Sequence, residues 1–390
     1  MSARAGGEGF PDLLYSDAER SLADALGSLL ADRGGWDKLL ARTESADTYD
    51  TELWRSVAVD VGCAGLLIPE ASGGAGASYR EAATAAEALG AAVVPVPFLG
   101  SAVVSTACLL AALGSSREPV HLLGKLADGG YTMALAVPFE TAPGAPFPVS
   151  VRVAAAHPGD KGVGWYRLRG SVRGVADALP AGMLLVPADG VPQGLYQIDV
   201  ASPRVTRTPV ASLDMTRQLC DISFDDVPAT LMASGAEAAK ALEAGLTAGA
   251  CVIAAEQLGV AQRCLDMTVS YVKERKQFAR PVGSFQALKH RLADLWVAVA
   301  QARAASRYAA ACLASGSGDA PVAVALAKAY CSDVAVHAAQ ECVQLHGGIG
   351  FTWEHPAHLY LKRAKADSLA FGTADAHRSS LARRVNLPAP

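Results

Sequence analysis

Apolar residues recur at helical intervals near the start of the chain and again over its last third. Ser16 and Glu19 have the spacing of a capping box, and leucines follow at helical spacing from Leu22 onward. Four later runs carry apolar stripes: 236–271, 285–315, 320–345 and a shorter one from 355 to 363 and onward. Long helices joined by short loops are typical of an antiparallel bundle.

Between these helical parts the pattern changes to short apolar runs separated by Gly, Pro and Asp. Alternating apolar and polar residues in Val151-Arg-Val-Ala indicate strands with one solvent-facing side. Five such runs occur, at 133–137, 149–155, 165–168, 183–186 and 194–199. Their length and spacing predict antiparallel strands.

These patterns together predict an α+β fold that is mostly α. The expected order is an N-terminal helical domain at 1–128, a middle antiparallel β domain at 129–233 and a C-terminal four-helix bundle at 234–390. Residues 88–116 carry no charge, but prolines and Gly100 interrupt them early. The unbroken helical part is too short to cross a bilayer, so we expect buried helices and no membrane span.

Composition excludes several classes of function. Of the 390 residues, 51% are apolar and 18% are charged, and the net charge is -4, so no general attraction to nucleic acid is expected. The eight cysteines lie too far apart for a CxxC redox motif or a zinc ribbon, and no metal site is expected. Met1–Phe10 lacks the apolar core of a secretory signal. A cytoplasmic location is the simplest expectation.

The segment from Tyr271 to Gln286 suggests an anion site. A helix carrying Arg275 is expected to end near Phe278, and the next helix begins at 285–286. Arginine at a helix end followed by a turn can bind phosphate through charge-assisted hydrogen bonds. The alternative is a solvated basic helix end, because cations favour helix C-termini.

A second segment, Gln344-Leu-His-Gly347-Gly348-Ile-Gly350, follows a predicted helix. Paired glycines let the backbone approach a ligand closely, and glutamine supplies an amide for hydrogen bonding. The alternative is an ordinary helix C-cap with a turn.

The two segments resemble the flavin-binding motifs of the acyl-CoA dehydrogenase family, Y-x-x-x-R-x-x-F followed by F-Q, and Q-x-x-G-G-x-G. The strand-like run 62–69 ends within Leu67-Ile-Pro69-Glu70-x-x-Gly73-Gly74, which matches an N-terminal motif of that family, and with the order of helices and strands the resemblance covers nearly the whole chain. The family's glycine after the phenylalanine is Ala279 here. The resemblance implies an FAD cofactor, whose expected contacts are Arg275, Phe278, Gln286, Gln344, Gly347, Gly348 and Thr373.

In this family Arg275, Phe278 and Gln286 would reach the FAD of a neighbouring subunit. The resemblance also implies an acyl-CoA or acyl-carrier-protein thioester as substrate and an electron-transfer flavoprotein as electron acceptor. Family members remove the α-proton of the thioester with a glutamate while a hydride leaves Cβ for the flavin. That glutamate lies in a Y-E-G-T loop, where this chain has Ala370-Phe371-Gly372-Thr373. Phe371 cannot accept a proton.

Other family members carry the base on a bundle helix, at the position of Gly249 here, which also lacks a carboxylate. The catalytic residue is therefore unknown, with Glu243, Glu256 and Asp375 as open candidates. Glu256 lies about two turns beyond Gly249 and is expected to be a polar contact within the bundle.

The β domain also departs from the family pattern. The hydroxyls and the tryptophan that contact the flavin ring are missing from the matching positions 134–138 and 172–175, and Trp165 nearby is expected to be an ordinary strand residue. The adenine and pyrophosphate side of the expected site is therefore present, and the ring side is not.

The first hypothesis is a non-catalytic, β-type subunit in a heterotetrameric acyl-CoA dehydrogenase of fatty acid or steroid side-chain metabolism. In that case a second, related chain supplies the base and most contacts to the flavin ring. The alternatives are an active homo-oligomer with a relocated carboxylate base, and a flavin-free protein of the same fold that binds acyl thioesters.

Overall fold

The computed structural model describes residues 11–45, 49–114, 118–154 and 166–387. Six α-helices come first: α1 (Asp17–Arg33), α2 (Trp36–Thr43), α3 (Thr51–Arg55), α4 (Tyr79–Ala92), α5 (Thr106–Ala111) and α6 (Glu118–Ala127). Seven strands follow: β1 (Met133–Leu135), β2 (Val151–Ala154), β3 (Tyr166–Ala176), β4 (Met183–Ala188), β5 (Gly194–Asp199), β6 (Val205–Val210) and β7 (Leu219–Ser234). The last part contains α7 (Gly235–Glu274), the hairpin strands β8 (Lys276–Gln277) and β9 (Arg280–Pro281), α8 (Gln286–Ala314), α9 (Ala320–His346), α10 (Ala357–Leu369) and α11 (Ala374–Arg384).

Helix α1 begins at the predicted capping box. The Ser16 hydroxyl accepts a hydrogen bond from the Glu19 N–H at 3.2 Å, and the Glu19 carboxylate accepts one from the Ser16 N–H at 2.6 Å. The same carboxylate pairs with Arg80 of α4 at 2.9 Å. One buried side chain therefore caps α1 and attaches it to α4.

The uncharged run 88–116 folds as predicted into buried helices. It contains the end of α4, a π-helix at Phe98–Ser105 and α5, and every side chain of the π-helix is buried. By length and hydropathy alone, Gly235–Glu274 and Ala320–Phe351 could cross a membrane. Within the protein, 89% and 67% of their most apolar windows are buried, as in the core helices of a bundle.

The strand-like run 62–69 is not a strand, and that prediction is wrong. It begins with a 3₁₀ turn at Cys63–Gly65. Its carbonyls accept hydrogen bonds from the loop that follows, including Leu66 O from Ala77 N and Ile68 O from Gly76 N, both at 2.8 Å. Because this local loop satisfies the backbone, no partner strand is needed.

The β domain is a seven-stranded sheet in the order β1-β4-β5-β7-β3-β2, with β6 also paired to β7. Most neighbours are antiparallel as predicted, but β1 pairs with β4 in parallel. Strands β6 and β7 were not predicted. Strand β7 is 16 residues long. It includes Asp221, Asp225, Asp226 and Pro228, which obscure the alternation of apolar and polar residues in the sequence.

The C-terminal part is built on α7, whose 40 residues extend about 60 Å. Its end differs from the prediction, because the helix stops at Glu274 and Arg275 is already extended. The hairpin β8–β9 follows, and Phe278 and Ala279 at its turn have φ of 52° and 60°. All eight cysteines are free and buried. The cytoplasmic location stays a prediction.

Candidate functional site

Three stacked rings bring the two predicted anion-binding segments together. The Tyr271 ring of α7 lies 4.4 Å from the His346 ring of α9, and His346 lies 4.2 Å from His355. Arg275 follows Tyr271 by about one turn, and Gln344 precedes His346 by two residues. The ends of α7 and α9 therefore meet at one end of the bundle.

Polar side chains at this end of the bundle are exposed to solvent. The Phe278 ring is 86% exposed and packs edge-on against Phe285, and the Arg280 guanidinium lies 4.0 Å from the Phe285 ring centre. Six of the seven predicted cofactor contacts are exposed here: Arg275, Phe278, Gln286, Gln344, Gly347 and Gly348. Exposed guanidinium and amide groups of this kind can bind a phosphate-bearing ligand through charge-assisted hydrogen bonds.

Thr373 lies in a different place. Its hydroxyl caps α11 by accepting the Ala376 N–H at 3.2 Å, and the preceding Gly372 carbonyl accepts a hydrogen bond from Lys328 of α9 at 3.1 Å. Gln344 comes 16 residues after Lys328 on the same helix, about 24 Å along its axis. The predicted cofactor residues therefore form two groups about 24 Å apart along α9.

The loop around Phe371 is filled by its own side chain. The Phe371 ring stands edge-on to Phe139 at 5.6 Å. A Cβ atom placed on Gly249 would lie 2.5 Å from Phe371 Cζ, so the ring occupies the space that a side chain at 249 would need. A cavity of about 20 Å³ remains, enough for about one water molecule. Its walls include Leu99, Val104, Leu135, Val137, Phe139, Asp177 and Phe371.

Three hydrogen bonds hold this loop in one conformation. The Phe371 N–H donates to Phe139 O at 2.8 Å, His377 Nε2 contacts Phe371 O at 2.8 Å, and Lys328 Nζ donates to Gly372 O at 3.1 Å. Phe371 has a φ of 51°, which costs a residue with a side chain about 1–2 kcal/mol. The hydrogen bonds and the ring packing offset that strain.

Glu256 is fully engaged beside this loop. Both of its carboxylate oxygens accept hydrogen bonds from Arg217 Nη2 at 2.7 Å, and one also accepts from Arg363 Nη1. Burial opposes its ionisation, but the two guanidinium groups outweigh burial and lower the pKa of Glu256. The prediction of a polar contact within the bundle is confirmed, and three hydrogen bonds from guanidinium groups hold the Glu256 carboxylate in this ion-pair network.

The same arginines extend the network between domains. Arg363 Nε donates to Asp214 at 2.7 Å and its Nη2 to the Thr216 hydroxyl at 2.6 Å, while Arg217 Nη1 donates to Asp367 at 3.3 Å. Burial, reinforced by the charge of Glu256, raises the pKa of Asp367 well above its usual range. The loop before β7 is thereby bound to α7 and α10 through buried charges.

The other two carboxylate candidates lie outside the Phe371 cavity. Glu243 accepts the Gly144 N–H at 2.7 Å, and Asp375, which is 91% exposed, pairs with Arg378. Neither belongs to the cavity wall.

The structure brings a carboxylate that the sequence analysis missed, Asp177, to the cavity wall. Its two oxygens accept hydrogen bonds from the Tyr49 hydroxyl at 3.0 Å and from the Gly100 N–H at 2.8 Å. Burial raises its pKa, and Arg217 opposes that shift. The available signal was a single acid within the otherwise uncharged run 174–188. One oxygen thereby joins the end of β3 to the π-helix, and the other joins it to Tyr49, before α3.

Comparison with known protein families decides the identity of this fold. The family model for the N-terminal domain of acyl-CoA dehydrogenases matches residues 16–130, and the model for the C-terminal domain matches residues 238–386. The acyl-CoA dehydrogenase IpdE2 of Mycobacterium tuberculosis H37Rv is 34% identical over 348 residues, which are 89% of this chain and 91% of the relative. The chain belongs to the acyl-CoA dehydrogenase family. Its relatives are oxidoreductases.

Two similar solved structures carry the names of protein pairs. A variant of the Tcur3481-Tcur3483 steroid ACAD has a TM-score of 0.81 at 28% identity, covering 95% of this chain and 98% of the other. The ChsE4-ChsE5 complex from Mycobacterium tuberculosis has a TM-score of 0.83 at 26% identity, covering 97% of this chain and 100% of the other.

The fold of acyl-CoA dehydrogenases binds FAD, but the two groups of predicted cofactor residues fit it unequally. The exposed arginine and amides at the end of α7 and α9 suit a pyrophosphate. In the second group, around Thr373, the family's hydroxyl groups are missing from the segment 134–138. Leu135 and Val137 lie in this segment, and both are buried. Together with Phe139 and Phe371 they line a cavity of about 20 Å³, far smaller than the roughly 300–1,000 Å³ of usual ligand pockets. Trp165 lies outside the described residues.

His377 gives this loop a pH dependence. Burial lowers the pKa of His377 from 6.5 to about 4, so the neutral ring is the form that contacts Phe371 O. The unfolded chain binds this proton below about pH 6.5, so stability contributed by His377 is present at neutral pH and lost toward pH 4. We expect the wild type to lose about 2–3 kcal/mol more than His377→Gln between pH 7 and 4.5, measured by urea unfolding.

The matched control is His290→Gln on α8, which replaces an exposed histidine. It should follow the wild-type pH profile. Parallel profiles for the wild type and His377→Gln would show that His377 does not carry this pH dependence.

Proposed function

We propose that this chain is the partner subunit of a heteromeric acyl-CoA dehydrogenase and contributes no catalytic base of its own to the FAD-dependent α,β-desaturation of an acyl-CoA thioester. One observation carries the proposal. Phe371 stands where the family has its glutamate, and its ring packs against Gly249, the position of the alternative base. Both base positions are thus apolar and in mutual contact, which excludes proton abstraction from either.

The chain would contribute its cofactor contacts where the ends of α7 and α9 meet. Arg275, with its guanidinium exposed, would hold the pyrophosphate of an FAD seated mainly in the second subunit. Gln286 and Gln344 would donate amide hydrogen bonds to the same cofactor, and the exposed Phe278 would cover it from water. When bound, the flavin supplies the hydride acceptor for Cβ of the thioester. The second subunit would supply the base.

The protein pairs among the similar structures support this assembly, and one of them is a steroid ACAD. We therefore propose a steroid side-chain or fatty acyl thioester as substrate and a heterotetramer of two chain types. An electron-transfer flavoprotein would reoxidise the flavin, as the family resemblance implies.

The decisive experiment is expression of this chain alone and together with a second acyl-CoA dehydrogenase chain from the same organism. We expect the lone chain to bind little FAD and to show no dye-linked desaturation. The assembled complex should contain one FAD per pair of chains, measured by native mass and flavin absorbance. Stoichiometric FAD and activity from the lone chain would contradict the proposal.

Arg275→Ala tests the interface contact within the assembled complex. Loss of a charge-assisted hydrogen bond should raise the Kd for FAD about 10- to 100-fold, while assembly remains intact. Lys273→Ala is the matched control, because it removes the same charge from an exposed residue two positions earlier. Equal losses in both variants would assign the effect to general charge.

Asp177 favours a second candidate function, an active enzyme with its own relocated base. Its carboxyl lines the Phe371 cavity and burial raises its pKa, as expected of a general base. Both carboxylate oxygens of Asp177 already accept hydrogen bonds, which opposes this function. The lone-chain experiment separates the two candidates, since only the second predicts desaturation without a partner. A complex without flavin absorbance would instead favour the flavin-free alternative.

A further inference from the structure

The outer face of the β domain carries an excess of arginine that the proposed flavin site does not use. In strand register, Arg152 of β2 lies opposite Arg169 of β3, and Arg169 lies opposite Asp225 of β7. The Asp225 N–H donates to the carbonyl of Arg204, the residue just before β6 on the far side of β7. Arg173 lies further along β3. All of these side chains are exposed, and the face they form, the arginine face, measures about 14 Å across the strands.

The arginine face is not explained by the stability of the sheet. Arg152 and Arg169 are directly opposite each other, and like charges in that position destabilise a strand pair. Arg169 is compensated by Asp226 at 3.1 Å. Arg152 and Arg173 form no ion pair or side-chain hydrogen bond with the residues described in 11–45, 49–114, 118–154 and 166–387. Among those residues, the guanidinium groups of Arg152 and Arg173 are therefore exposed and without an acidic partner.

Hydroxyl groups lie beside the arginines on the same face. Ser171 of β3 is opposite Ser223 of β7, which is opposite Thr206 of β6, and all three are exposed. A hydroxyl donates one hydrogen bond and accepts others, so this row can complete the coordination of an anion held by guanidinium groups. The combination is suited to oxygen anions.

Acidic residues within the face decide between possible anions. Asp221 and Asp225 lie between the arginines and would repel a continuous chain of phosphates, whereas carboxylates spaced along a peptide can avoid them. The four strands β2, β3, β6 and β7 present no exposed aromatic side chain for stacking nucleic acid bases in the part of them that the structure describes. The planar guanidinium fork matches a carboxylate.

We propose that the arginine face binds an acidic segment of another protein, with its carboxylates received by Arg152 and Arg173. The face is smaller than the interface of a stable complex, so the interaction is transient and electrostatic. It should weaken as salt rises.

The test uses the full-length chain and a fluorescein-labelled poly-L-glutamate peptide, with binding followed by fluorescence anisotropy at low and at physiological salt. The double variant Arg152→Ala/Arg173→Ala should weaken binding about five- to tenfold, since each exposed charge pair contributes modestly. Neither residue has a described partner in the fold, so urea unfolding should be unchanged or slightly improved.

The control is Arg55→Ala/Arg383→Ala, which removes the same charge from two exposed arginines outside the β domain. Its binding should change by less than about twofold. Equal weakening in the two double variants would overturn the proposal, because net charge alone would then explain binding. Tighter binding of inorganic polyphosphate or of a thymidine oligonucleotide than of poly-L-glutamate would also overturn it, in favour of a phosphate ligand.

Discussion

Replacing Glu256 with glutamine is expected to lower the free energy of unfolding by about 3–5 kcal/mol. The substitution keeps the shape of the side chain but removes the charge shared by Arg217 and Arg363. Both guanidinium groups are buried, and each would keep a single acidic partner, Asp367 or Asp214. Breaking a buried ion pair on one side leaves an uncompensated charge, which costs far more than the loss of an exposed pair.

The measurement is urea unfolding at pH 7, with soluble yield and limited proteolysis as a second readout if the variant does not fold. Glu243→Gln is the matched control on the same helix, because an amide oxygen can still accept the Gly144 N–H. We expect it to change stability by less than about 1 kcal/mol. If the two variants were equally stable, Glu256 would not hold the domains together.

Replacing Phe371 with alanine should cost about 3–5 kcal/mol, the usual range for deleting a buried aromatic ring. Phe371 is 5% exposed, and its ring fills the space between Phe139 and Gly249. Neighbouring residues cannot close the resulting cavity easily, since Gly249 has no side chain to move into it. Urea unfolding measures the loss.

Phe351→Ala is the control, since the Phe351 ring is 89% exposed, and its stability should change by less than about 0.5 kcal/mol. Phe371→Leu provides a milder variant, expected to cost about 1–2 kcal/mol, if the alanine variant does not fold. A cost below about 1 kcal/mol for both would show that the loop reorganises, and that the ring does not block the pocket.

Local patterns were sufficient to predict the order of helices and strands and the two motifs at the end of the bundle. The capping box at Ser16 and the helix at 320–345 depend on residues close in sequence. Strand β7 was missed because its outward residues are acidic and its apolar residues face a core built from distant strands. The spacing of residues along the sequence does not predict which distant strands pair with β7.

The charge network was beyond local reasoning for the same reason. Arg217 and Arg363 lie 39 and 107 residues from Glu256, and nothing near Glu256 in sequence indicates them. The packing of Phe371 on Gly249 likewise joins positions that were identified separately as departures from the family. Only the fold shows that the large ring of Phe371 fills the space that a side chain at Gly249 would need.

Helix α9 carries residues beside both groups of predicted cofactor residues. Lys328, in its first half, contacts the loop before Thr373, and Gln344 lies near its last residue. The two groups are therefore free to evolve separately after a gene duplication. If this chain is the proposed partner subunit, mutations that remove the chemistry around Lys328 would leave the surface around Gln344 unchanged, and a partner with an intact site would keep that surface under selection. A duplicated enzyme can in this way lose its own reaction and remain indispensable to its sister chain.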